Sequence, residues 1–257
     1  MKRKITCLLR SLVPFLLLMI IQSLVLYAVT YLDEIISQAG SKASLLTYEN
    51  TTLLTGVIGY GIFLIPGIYW YQNLCKWEPE KKIKKISLLT LIAAGLCLQL
   101  CVDTALFMLN VSVPEIMESY IKVMDNLGMS APTLLSVLYV VIMSPIAEEL
   151  LLRGLCLKTL ETEFPFWQAN ILQALCFGIF HMNLIQGTYA FLAGILFGYL
   201  TKRYGTLKAS ILCHFTVNLS GQVIGLLTPK PGYEAIAFLL IAVLLAVFLK
   251  KEKQPTQ

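Results

Sequence analysis

Eight long apolar runs dominate this chain, at residues 11–31, 52–74, 86–109, 133–157, 166–182, 188–201, 207–227 and 233–249. A helix needs about 20 mostly apolar residues to cross the hydrocarbon of a bilayer, where every backbone polar group has to be satisfied within the protein. The predicted fold is therefore all-α, a polytopic bundle of about eight transmembrane helices. With 57% of the 257 residues hydrophobic and only 14% charged, little chain is left for an extramembrane domain. The net charge of +5 marks orientation rather than a nucleic-acid partner, because no basic stripe carries aromatic interleaving. If the N-terminus is cytoplasmic, sixteen of the twenty Lys and Arg residues fall inside, and only Lys42, Lys122 and Lys230 fall outside. That asymmetry follows the positive-inside rule and predicts that both termini are cytoplasmic. The first run follows Lys2, Arg3, Lys4 and Arg10, yet it is long and lacks a small-residue cleavage site, so it reads as an uncleaved anchor. Seven cysteines without a C-x-x-C pair exclude a disulfide framework and a zinc ribbon.

Three parts are expected. Residues 1–132 hold helices one to three and an outer amphipathic helix, residues 133–227 a core of helices four to seven, and residues 228–257 the last helix with a cytoplasmic tail. The outer helix is read from Ser112 to Gly128. Ser112 is its expected cap and Pro114 suits its first turn, while Ile116, Met117, Tyr120, Ile121, Met124 and Leu127 share one face.

Ionisable groups deep in a span cost about 2.5–3.5 kcal/mol on insertion scales and call for a partner or a task. The fourth run carries three of them, Glu148, Glu149 and Arg153. Four-residue spacing puts Glu149 and Arg153 on one helix face, where they pair. Glu148 points about 100° away and is left without a local cation. Desolvation of such a carboxylate suits it to general-base chemistry. Taken singly, a histidine in an apolar helix is usually a hydrogen-bond partner between helices. Here the only two, His181 and His214, both lie in apolar runs, with Phe177 one turn before the first and Asn218 one turn after the second. Counted from a hairpin turn near Pro165, Glu148 and His181 stand at nearly the same height. Gly187, Gly194 and Gly198 are expected to let helices approach closely, and Asp103 in the third run has no assigned role.

Glu148-Glu149-x-x-x-Arg153, Phe177-x-x-x-His181 and His214-x-x-x-Asn218, each in a separate apolar run, resemble the family of CaaX prenyl proteases and bacteriocin-processing or immunity proteins known as CPBP or Abi. The resemblance covers about residues 133–227. It implies an intramembrane endopeptidase with Glu148, His181, His214 and Asn218 at the catalytic centre, supported by Glu149, Arg153 and Phe177. The implied substrates are membrane-associated or lipid-modified peptides, and the expected partners are such a peptide and membrane lipids. In the favoured chemistry Glu148, with His181, activates a water while His214 and Asn218 stabilise the oxyanion, and no cofactor is needed. The alternative makes Glu148, His181 and His214 the ligands of a catalytic zinc. Two other functions remain open, a non-catalytic immunity or signalling scaffold of the same family and a proton-coupled carrier. The carrier is weakened by the lack of an inverted repeat. Short loops point to a multi-pass protein of a prokaryotic plasma membrane.

Overall fold

The computed structural model describes residues 2–39, 46–75, 83, 85–129 and 132–226. Among them are eight helices and no strand: α1 (Lys2–Ala39), α2 (Tyr48–Leu74), α3 (Lys85–Ser112), α4 (Pro114–Asn126), α5 (Leu134–Leu160), α6 (Phe166–Phe180), α7 (Leu184–Tyr204) and α8 (Leu207–Leu226). Five of them, α1, α2, α3, α5 and α7, are long and apolar enough to cross a membrane. Large apolar side chains such as Leu16, Ile20 and Leu24 on α1, Ile65 on α2 and Leu89 on α3 face outward, which suits a lipid solvent and not water. The protein is an integral, multi-pass, all-α membrane protein. The expected span at 233–249 lies outside the described residues.

The expected span at 207–227 forms α8, which is not among those five, and two further helices depart from the simple spanning pattern. At 15 residues α6 is only about 22 Å long, shorter than the ~30 Å hydrocarbon layer. The outer helix also differs at its start. Ser112 is the last residue of α3, and Val113 takes the N-cap position of α4 with no side-chain cap. The α3 ladder continues through Val113 N–H to Leu109 O, leaving no room for a serine cap there. Pro114 does occupy the first turn, where its missing N–H costs nothing. Tyr120, the buried residue of α4, meets Tyr189 of α7 hydroxyl to hydroxyl at 3.1 Å.

The most enclosed element is α5, in which every residue from Leu150 to Leu157 is buried. Its apolar side chains join Leu18, Tyr60, Phe63, Phe177, Phe197 and Cys213 in one core. In lipid, burying leucine against leucine gains little over leucine against acyl chains, so close backbone approach and polar ties hold such helices together. Both are present. At the α6–α7 crossing, a Cβ on Gly178 would lie 2.7 Å from Gly187 O, so only glycine permits that approach. Gln173 Nε2 and Arg153 Nη2 both donate to Gly194 O at 3.0 Å, and Asn170 Nδ2 donates to Ile195 O at 3.0 Å. These bonds tie α5 and α6 to the backbone of α7.

One end of the bundle gathers basic residues. Lys4 stands over the Phe164 ring at 5.2 Å, Cys7 Sγ approaches Thr159 O at 3.2 Å, and Lys202 pairs with Glu161. The start of α1, the α5–α6 turn and the end of α7 therefore share one end.

Candidate active site

The site grows from an irregular helix. Within α5 the backbone widens to a π-helical ladder over Leu138–Met143 and again over Leu150–Leu157, with a short α-helical segment, Ser144–Glu149, between them. Such widenings concentrate at functional sites because they re-aim side chains and leave a carbonyl open. Here Ser144 N–H reaches back five residues to Tyr139 O. The next bond in that register, from residue 145 to Val140 O, is missing because Pro145 has no N–H. Asn218 Nδ2, from α8, fills the gap with a 2.7 Å bond to Val140 O. One amide hydrogen of Asn218 is thus committed to α5, and the His214 ring is held by something else.

That partner is Glu149. Its Oε1 accepts from Arg153 Nη1 at 2.9 Å, as the four-residue spacing predicts, and also from His214 Nδ1 at 2.9 Å. Glu149 and Arg153 are both 0% exposed, and the guanidinium lies over the rings of Phe177 at 4.9 Å and Phe197 at 5.2 Å. Phe197 also stacks on the His214 ring, with centroids 4.8 Å apart. With Nδ1 turned to Glu149, His214 Nε2 faces Glu148 Oε2 at 3.9 Å, and both residues are 5% exposed. A single water with hydrogen bonds of about 2.8 Å can bridge that separation.

Glu148 has no Lys or Arg partner among the described residues, but it is not isolated. Its Oε1 accepts from the Tyr60 hydroxyl of α2 at 2.9 Å and from the Ser144 hydroxyl at 2.8 Å. Ser144 lies one turn before Glu148, so the same four-residue rule that paired Glu149 with Arg153 could have found it. Tyr60 carries no sequence signal, since 88 residues separate it from Glu148.

His181 closes α6 as its C-cap, followed by Met182 at φ 54° and by Asn183, whose side chain caps α7 through Ile185 N–H and Gln186 N–H. A left-handed methionine is uncommon, and it lets the chain reverse immediately after the histidine. His181 Nδ1 lies 2.9 Å from Phe177 O. A carbonyl only accepts, so Nδ1 carries a proton and donates it to Phe177 O. Phe177 is 2% exposed and touches both imidazoles edge-on, at 4.8 Å from His181 and 5.9 Å from His214. It is the shared wall of the site.

A zinc held by Glu148, His181 and His214 would need those three groups around one point. Among the described residues no three His, Cys, Asp or Glu side chains are grouped to hold a metal ion. Asp103 accepts from Gln99 Nε2 at 2.8 Å on its own helix, α3.

No match was found among curated proteins or among solved structures. Residues 130–220 do match a family model, described as type II CAAX prenyl endopeptidase Rce1-like. That segment contains Glu148, Glu149, Arg153, Phe177, His181, His214 and Asn218 and leaves out α1 to α4. Over residues 130–220 this chain is thus similar to the Rce1-like proteins of the CPBP family, a family of intramembrane endopeptidases.

Proposed function

We propose that this protein hydrolyses peptide bonds of membrane-associated or lipid-modified peptides, with a water activated by Glu148 and no metal. The observation that carries the reading is the facing pair of Glu148 Oε2 and His214 Nε2, 3.9 Å apart inside the bundle. A water between them gives a proton to Oε2 as its oxygen attacks the scissile carbonyl. A base so positioned contributes about 10²- to 10⁴-fold in rate. His181 joins the site through Phe177, whose ring packs edge-on against both imidazoles. The oxyanion then takes a hydrogen bond from His214 Nε2–H, while Glu149 holds Nδ1–H and balances the charge of the ring. The second Asn218 amide hydrogen, not used by Val140 O, is a further donor. Each such donor is worth about 3–4 kcal/mol in the transition state. The proton on Glu148 passes to the amine of the leaving peptide, the C–N bond breaks, and the carboxylate is regenerated.

Short loops favour a prokaryotic plasma membrane as the setting, and because a bacterium does not normally prenylate its own proteins, the substrate there is a peptide precursor or leader rather than a prenylated tail. Comparative peptidomics of membranes carrying the native protein or Glu148→Gln tests the reading. Precursors are expected to accumulate with Glu148→Gln and their products to vanish. Identical peptide profiles at equal protein abundance would overturn it in favour of a scaffold. Cleavage that is lost on chelation and restored by zinc would overturn the metal-free step.

A further inference from the structure

Resting on the hydrolytic reading, we infer that Tyr60 and Ser144 are positioning residues that saturate Glu148 Oε1 and so turn Oε2 alone toward the water. Two hydroxyls, from different helices, converge on the same oxygen at 2.9 and 2.8 Å. Oε2 is the oxygen that faces His214 Nε2. A free glutamate can rotate its carboxylate and present either oxygen, and a misplacement of about 1 Å at a reacting group can cost about 10²-fold in rate. Two donors to one oxygen remove that freedom, and hydrogen bonds to an ionised acceptor are roughly twice as strong as neutral ones.

The Tyr60 phenol is itself held fast. Its side chain is 1% exposed, and its ring stacks on Tyr139 with centroids 5.6 Å apart and planes 21° from parallel. Tyr139 in turn fills the notch left by Gly56 of α2, where a Cβ would overlap the Tyr139 ring. Tyr139 belongs to the first π-helical stretch of α5, whose carbonyl accepts the Ser144 N–H. Tyr60, Tyr139 and Ser144 thus form one buried unit around Glu148. Tyr60 and Gly56 lie outside residues 130–220, so the matched segment does not contain its own complete glutamate environment.

The test uses full-length protein in liposomes and an internally quenched copy of a precursor peptide that accumulates in membranes carrying Glu148→Gln. Tyr60→Phe keeps the stacked ring and removes only the donor. Its kcat is expected to fall about tenfold or more with KM within about twofold. Ser144→Ala is expected to do the same, which covers the event that one of the two variants folds poorly. Isotope-edited infrared spectra of protein labelled with ¹³C-carboxyl glutamate give a readout that needs no cleavage. The wild type and Tyr60→Phe should differ in one carboxylate band, and that difference should be missing when both carry Glu148→Gln. An unchanged kcat, or an unshifted carboxylate band, in both single variants would overturn the inference. Glu148→Gln separates the two claims. Full cleavage by that variant removes the Glu148 mechanism itself, whereas loss of cleavage there with wild-type kcat in Tyr60→Phe and Ser144→Ala removes only the positioning role.

Discussion

Arg153 reaches Glu149 with Nη1 and the Gly194 carbonyl with Nη2, while its guanidinium lies over the rings of Phe177 and Phe197. Removing one partner of a fully buried pair leaves an uncompensated charge, at a cost of about 3–5 kcal/mol. Arg153→Ala is therefore expected to lower the thermal midpoint in detergent sharply, whereas Arg153→Lys, which keeps the charge and loses the fork, falls between that variant and the wild type. An unchanged midpoint in Arg153→Ala would show the pair to be dispensable. Adjacent carboxylates thus receive different tasks from their surroundings, Glu149 a cation and an imidazole, Glu148 two hydroxyls. Much of this was legible in sequence. Four-residue spacing revealed the Glu149–Arg153 pair and Phe177 beside His181. The bond from His214 to Glu149 was not legible, because it depends on how α8 crosses α5, and no local spacing encodes that crossing.

The helices themselves were legible as apolar runs, and the break inside α5 was not. Pro145 was the visible signal, but a proline in a helical pattern tells of a lost hydrogen bond without saying who replaces it. The replacement, Asn218 Nδ2 to Val140 O, makes a prediction at this scale. Asn218→Ala orphans a part-buried carbonyl and should destabilise the protein by about 1–3 kcal/mol. In a Pro145→Ala background residue 145 regains an N–H for Val140 O, so the penalty for Asn218→Ala should shrink. A double-mutant cycle on thermal unfolding reads this directly, and strict additivity would contradict the assignment. Close approach gives a second prediction. Gly178→Val places side-chain atoms against the Gly187 backbone, pushes α7 from α6 and displaces His181 at the end of α6. Proteolysis should fall at least tenfold in a protein that still inserts, and activity retained at the wild-type level would refute the role of that crossing in placing His181.

For the whole molecule, the three motifs singled out α5, α6 and α8, and the surrounding helices were known only as apolar. That is why Tyr60 escaped notice: it reads as one aromatic among many on a spanning helix. The charge pattern had predicted one basic face. Lys4, Lys202 and the α5–α6 turn do meet at one end, with the Tyr120–Tyr189 contact tying α4 to the N-terminal part of α7. If that basic end is cytoplasmic, Glu163→Cys should be shielded from a membrane-impermeant maleimide in intact cells and Ser119→Cys should react, while the reverse pattern would invert the topology. The most direct test of the central claim is peptide cleavage by purified protein in liposomes, comparing the wild type with Glu148→Gln at matched insertion and thermal stability. If Glu148 is the base, the substitution lowers the rate at least 100-fold, and a Glu148→Gln protein that cleaves as fast as the wild type contradicts it.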